Sequence, residues 1–257
     1  MCLRLHGRAP NGPRIAVNCY GEIPHVGSAQ ECVTTPWVTP EARYRRAIFR
    51  WFRSHARAFP WRTSRDLYEL LVGEILLQRT RGENVVDVYA EFLRRWPNPP
   101  QLAAARTTSV ASVIRPLGLT KRAPILKRLG IALSERGRVR PEPDELLSLP
   151  GIGPYAAHAV PVFGFGRNLP VVDWVIARVL RRYFGLAAGG PPSTDRDLWI
   201  LAERVVQPGR ARELWLGTLD FAAAVCRPRP LCGECPLNKT CAYFSRSSRT
   251  GLVTPTP

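Results

Sequence analysis

Acidic side chains are scarce in this chain: 20 Asp and Glu stand against 37 Lys and Arg, a formal charge of +17 with a pI near 10.6. The imbalance argues against acidic protein partners and for polyanions, nucleic acid first among them. Long apolar runs are lacking as well. No stretch approaches the ~18 residues that would span a bilayer, and the opening Met1–Arg8 segment has no apolar core of a secretory signal. A soluble intracellular protein without a membrane partner is expected. Strand-like alternation is nearly absent, which disfavours a sheet-built fold. An even disulfide framework is missing too, since Cys2, Cys19 and Cys32 are scattered while Cys226, Cys232, Cys235 and Cys241 stand close together. Four grouped thiols in an intracellular chain point to a metal or cluster site rather than to disulfides.

What remains is helical periodicity, in a chain whose 257 residues suffice for one large domain or two compact ones. Residues 1–39, rich in Gly, Pro and small polar side chains, are expected to form a disordered extension, and residues 245–257 a flexible tail. From about Glu41, apolar Tyr44, Ile48, Trp51, Phe52 and Phe59 interleave with seven arginines between Arg43 and Arg62. Such a helix should bury one side and show the other to phosphate or water. Further helices are expected near 66–79, 82–96, 107–115, 121–136, 143–148, 154–165, 174–184, 194–206 and 210–224, punctuated by Pro and Gly. The fold class is therefore all-α, with spacing too irregular for a repeat solenoid.

Four constellations could carry chemistry. Leu149-Pro150-Gly151-Ile152-Gly153-Pro154 reads as a glycine hairpin between two helices. Its glycines permit a sharp turn and a close approach, and free amides at the next helix start can hold a phosphate oxygen. An ordinary helix–helix turn is the plainer alternative. Pro161 falls inside that second helix and should bend it. Asp173 opens the helical stripe Ile176, Val179, Leu180, Tyr183. It serves there either as an N-cap or as a carboxylate kept ionised by the helix dipole to oppose a cation. Glu74 shares a face with Leu67, Leu70, Leu71 and Gln78. Burial would raise its pKa and make it a general acid, unless it reaches solvent at the stripe's edge. The four cysteines, spaced x5, x2 and x5 with Arg227, Arg229 and Lys239 between them, suit either zinc or a four-iron cluster.

Taken in order, Pro60-Trp61-Arg62, Glu74 to Thr80, Leu149 to Gly153, Val172-Asp173 with Arg178-Val179, and the cysteine group resemble the endonuclease III and MutY branch of the helix-hairpin-helix DNA glycosylases, over roughly residues 42–244. The resemblance implies two helical domains flanking a DNA groove. A six-helix barrel would take residues 66–184, and an iron-sulfur cluster domain residues 40–65 with 185–244. It further implies Asp173 as the catalytic carboxylate, Glu74 as the base-pocket acid, and Gln78 or Arg79 as probe of the gap left by a flipped base. Gly151 and Gly153 would meet the phosphate backbone, with Arg227 and Arg229 on a loop shaped by a [4Fe-4S] cluster on Cys226, Cys232, Cys235 and Cys241. A cytoplasmic, nucleoid-associated monomer acting on mispaired duplex DNA is the expectation.

Departures from the family pattern narrow the activity. Where the bifunctional lyases carry a Schiff-base lysine this chain has Tyr155, so a weak or absent lyase activity is expected. The 8-oxoguanine domain usual in MutY proteins has no counterpart in the residues after Cys241, and Leu117 to Arg122 replaces a MutY segment. With Leu198-Trp199 and Leu219-Asp220-Phe221, these features look closer to the thymine and uracil glycosylases of G·T and G·U mismatches. Val175 stands where an Asn is usual, and the first cysteine interval is one residue short of the family's spacing. The expected function is thus monofunctional removal of T or U opposite G. An adenine glycosylase acting on A·G mispairs is the alternative, a non-catalytic DNA-structure-binding protein on the same scaffold another, and a zinc-ribbon regulator the last.

Overall fold

The computed structural model describes residues 38–187 and 189–249; nearly all of the expected extension, 1–37, lies outside the described residues. The first helix, α1 (Pro40–His55), starts where the Thr39 hydroxyl accepts the Ala42 amide at 3.2 Å and Pro40 supplies the first helical residue. After a short turn of helix, α2 (Pro60–Thr63), Asp66 caps α3 (Leu67–Leu77) by accepting the Glu69 amide at 3.0 Å. Helix α3 is apolar on most sides, so it is a core element. Then follow α4 (Gly82–Arg95), α5 (Pro99–Ala104) behind an Asn98 cap, α6 (Thr107–Ile114), α7 (Ala123–Arg136) and α8 (Pro143–Leu147). The chain closes with α9 (Pro154–Phe165), α10 (Trp174–Phe184), α11 (Arg196–Val205), α12 (Ala211–Ala224) and α13 (Ala242–Arg249). Among the described residues there is no strand, and no helix is long and apolar enough to cross a membrane. The all-α expectation holds, while residues 245–249, read from sequence as tail, continue α13.

Two hydrophobic cores organise these helices. One runs from Trp61 to Val160 and gathers α3 to α8 with the start of α9. The other joins α1, the rest of α9, α10, α11 and α12, with Leu237 from the cysteine segment. Helix α9 is shared: Ala156, Ala157 and Val160 face the first core, Ala159, Val162 and Phe163 the second, and Tyr155 packs against both. Pro161 is buried within α9. The helix runs past it and ends at Gly166, φ 69°, where the Arg167 amide donates to the Pro161 carbonyl at 3.1 Å and the Gly166 amide to Val162 at 3.2 Å. Any side chain at the start of α9 or on the facing side of α3 therefore sits where the two cores meet.

Candidate active site

Glu74 from α3 and Tyr155 from the first turn of α9 line a cavity of about 190 Å³ together with Phe59, Trp61, Arg62 and Phe163. Burial, with the neighbouring charge of Asp173 second, pushes the Glu74 carboxyl up to about 8, so it holds its proton at neutral pH. Tyr155 is raised well above its usual value, by burial first and then by Glu74 and Asp173, and it stays a neutral hydroxyl. Asp173 completes the group from the head of α10, where its carboxylate accepts the Ile176 amide at 2.6 Å. Cap and titrating group are thus the same residue. Helix-start amides and the Arg178 charge favour its ionised form, as the sequence led us to expect. Burial outweighs them and the net shift is upward.

Between Leu77 and Thr80, which line this cavity, α3 ends in Gln78, whose side-chain amide donates to the Gly151 carbonyl at 3.2 Å and so ties the helix end to the hairpin. Arg79, exposed, has φ 62°, the single positive value of a non-glycine among the described residues. Such a conformation costs an L-residue ~1–2 kcal/mol, and the constrained turn aims its side chain outward. Gly151 has φ 83°, and a Cβ there would lie 2.5 Å from Ile125 Cγ2. Gly153, at the start of α9, has open space around it. One glycine is required by packing; the other leaves the backbone accessible.

A second, wider hollow of about 820 Å³ is lined by Thr80, Arg81, Val175, Arg178, Arg227 and neighbours. Val175 takes part in its wall, so the half-buried position next to Asp173 presents an apolar surface there. Arg227 and Arg229 are exposed on the loop after α12. The loop is held to α10 from behind: Arg182 donates to the carbonyls of Arg227 at 2.7 Å and Pro228 at 2.9 Å, and Arg178 to that of Cys226 at 3.0 Å. Cys226, Cys232, Cys235 and Cys241 are free thiols that line one small cavity with Tyr243 and Phe244. Of the residues read from sequence as functional, Glu74 and Tyr155 line the first cavity, Arg227 the wider hollow and the four cysteines the small one, while Asp173, Gln78, Arg79, Gly151, Gly153 and Arg229 lie outside these linings. What sequence reading missed is the support beneath them. Asp220, 1% exposed, takes hydrogen bonds from the backbone and guanidinium of Arg57 and from both terminal nitrogens of Arg62. Burial alone would raise its pKa, but these donors hold it below the usual range. Both Pro60-Trp61-Arg62 and Leu219-Asp220-Phe221 stood out in the sequence; what did not was their pairing across 158 residues.

The sequence matches the model of the HhH-GPD superfamily base excision DNA repair proteins over residues 72–204. It is 39% identical over 216 residues to the thymine/uracil-DNA glycosylase of Pyrobaculum aerophilum, covering 80% of this chain and 94% of that protein. To the adenine DNA glycosylase of Homo sapiens it is 32% identical over 224 residues, covering 82% of this chain but 41% of that one. The solved structure of a thermostable thymine-DNA glycosylase has a TM-score of 0.76 at 34% identity, covering 80% of this chain and 97% of its own.

Proposed function

We propose, since the chain belongs to the HhH-GPD superfamily of base excision DNA repair proteins and is a DNA N-glycosylase, that it removes thymine or uracil opposite guanine without a covalent lyase step. The observation that carries this reading is the cavity in which a protonated Glu74 and Tyr155 lie beside the Asp173 carboxylate. A base reaches it by flipping out of the duplex at a cost of a few kcal/mol, less when mispaired. Arg79 and Gln78, between Leu77 and Thr80 of the cavity wall, would fill the gap. As the bond from C1′ to the base nitrogen breaks, its electron pair leaves with the base, and Glu74 offers a proton to the departing pyrimidine. Asp173 opposes the positive charge on the sugar. Water then bonds to C1′ and gives up its proton to Asp173. Tyr155 offers no amine for a Schiff base, which supports a weak or absent lyase activity.

The thymine/uracil reading is preferred to the adenine one because the first relative matches almost end to end, the second over less than half its length. Loss of catalysis on the same scaffold is disfavoured by the intact Glu74, Tyr155 and Asp173 set. Base release from duplexes containing G·T, G·U, A·G, A·8-oxoguanine and thymine glycol tests all three. Release from G·T and G·U is expected; release from A·G alone, or binding without release, overturns the reading.

The four free thiols fit a [4Fe-4S] cluster. They surround a common cavity, and four thiolates in the context of this family support the cluster over a single zinc ion. Cys226, Cys232, Cys235 and Cys241 would hold it, and it would brace the Arg227–Arg229 loop against phosphate rather than supply chemistry. Iron analysis of anaerobically prepared protein should give about four irons with broad absorption near 400 nm; one zinc in a colourless protein overturns the assignment. The barrel, 66–184, the cluster domain, 40–65 with 185–244, a monomeric state and a nucleoid location complete the proposal.

A further inference from the structure

Helix α1 carries charge on a face that the catalytic groove does not use. Arg45, Arg46, Arg50, Arg53 and Arg210 line a hollow of about 570 Å³ that includes Ala42, Phe49 and Gln207 and no carboxylate. Two of the five have partners: Arg45 donates to the Arg204 carbonyl at 3.2 Å, and Arg210 lies 3.6 Å over the Phe49 ring and pairs with Glu213. Arg46, Arg50 and Arg53 are exposed, and among the described residues none forms an ion pair or hydrogen bond. Three unpaired guanidiniums side by side repel one another modestly across water, and a bound anion would turn that repulsion into attraction.

The direction of this face matters more than its charge. At about 100° per residue around a helix, Arg46, Arg50 and Arg53 point roughly opposite to Trp51 and His55, which line the hollow beside Val175 and Arg227. The duplex path proposed above, through the hollow that Val175 and Arg227 line, therefore runs past the other side of α1. From Arg45 to Arg53 the helix rises about 12 Å, over which one DNA strand presents three to four phosphates at ~3.4 Å each.

We propose that this arginine face is a second duplex-binding site, taking the phosphodiester backbone of another DNA segment while the first occupies the catalytic groove. The site reads charge and not sequence, because its unpaired groups are guanidiniums, which match phosphate oxygens that every sequence presents. Its consequence is direct transfer: the protein can grasp a new segment before it releases the old one. The proposal rests on DNA being the ligand of the catalytic groove, and base release is measured separately so that the two can fail independently.

The test is to preload the full-length protein on a labelled undamaged duplex and chase it with rising concentrations of unlabelled duplex. The wild-type dissociation rate should climb with chase concentration. In the Arg46→Gln, Arg50→Gln, Arg53→Gln triple variant it should be flat, while single-turnover base release at saturating lesion duplex is unchanged. The salt slope for binding the second segment should also fall by about 2.7, at roughly 0.9 per phosphate contact. A control triple, Arg94→Gln, Arg106→Gln, Arg128→Gln, removes equal charge from other exposed positions and should keep the wild-type dependence. A flat wild-type rate, a triple variant that still transfers, or a control that loses transfer equally would each overturn the second site.

Discussion

At Asp173 a cap and the proposed catalytic carboxylate coincide, and the two roles can be separated by one atom. Asn can still accept the Ile176 amide that Asp173 holds at 2.6 Å, but it cannot oppose a cation or take a proton from water. Asp173→Asn should lower single-turnover base release by on the order of 10² or more, with duplex binding and Tm close to wild type; normal release would reduce Asp173 to a cap. Glu74 makes a different prediction because its folded pKa is raised. The native state keeps that proton up to about 8, whereas the unfolded chain loses it near 4.5. The associated stability is fully present below the unfolded value and is lost as pH rises toward about 8. Glu74→Gln has no such titration, so its Tm relative to wild type should improve steadily across that window, and a constant difference would contradict the burial of the acid. Base release in the wild type should decline as pH passes about 8, where the proton offered to the leaving base is lost.

At the scale of elements, the hairpin between α8 and α9 sets a glycine that packing requires beside one that is proposed to bind. Gly151→Ala forces a side chain into a left-handed φ and against Ile125, and should cost about 1–3 kcal/mol of stability. Gly153→Ala meets nothing and should leave the melt within ~0.5 kcal/mol while weakening DNA binding, which nitrocellulose filter retention would report. Equal melts for the two would mean that the turn relaxes around a side chain at Gly151. Much of this element was legible in advance, because Gly-x-Gly before Pro154 and the 3.6-residue spacing of Ile176, Val179 and Leu180 are local signals. Helices α2, α5 and α13 were not drawn: α2 and α5 are a turn or two long, too short for a period to show, although Asn98-Pro99 is a cap and first residue in plain sight. The Asp220 bonds to Arg57 and Arg62 and the opposed faces of α1 were illegible for another reason. They depend on which chain-distant residues the two cores bring together, and no window along the sequence contains both partners.

Over the whole molecule the excess charge is divided among faces, and the loop after α12 is one that should face phosphate. Arg227 and Arg229 are exposed there, while Arg182 and Arg178 fasten the loop's own carbonyls to α10, the helix that Asp173 caps. The proposed catalytic carboxylate and the loop proposed to clamp phosphate are thereby fastened to one helix. If each arginine releases about one counterion's worth of salt dependence, the Arg227→Gln, Arg229→Gln double variant should show a log K against log salt slope reduced by about 2. Its maximal base-release rate should be unchanged, since neither side chain lines the cavity around Glu74. On the proposed cluster reading, the same loop also depends on what the four thiols hold. Protein stripped of iron, and shown by circular dichroism to keep its helices, should therefore show a similar fall in slope, because Arg182 alone is left to position the Arg227 and Pro228 carbonyls. A full slope in the stripped protein, with the double variant behaving as stated, would mean that α10 and not the cluster holds the clamp in place.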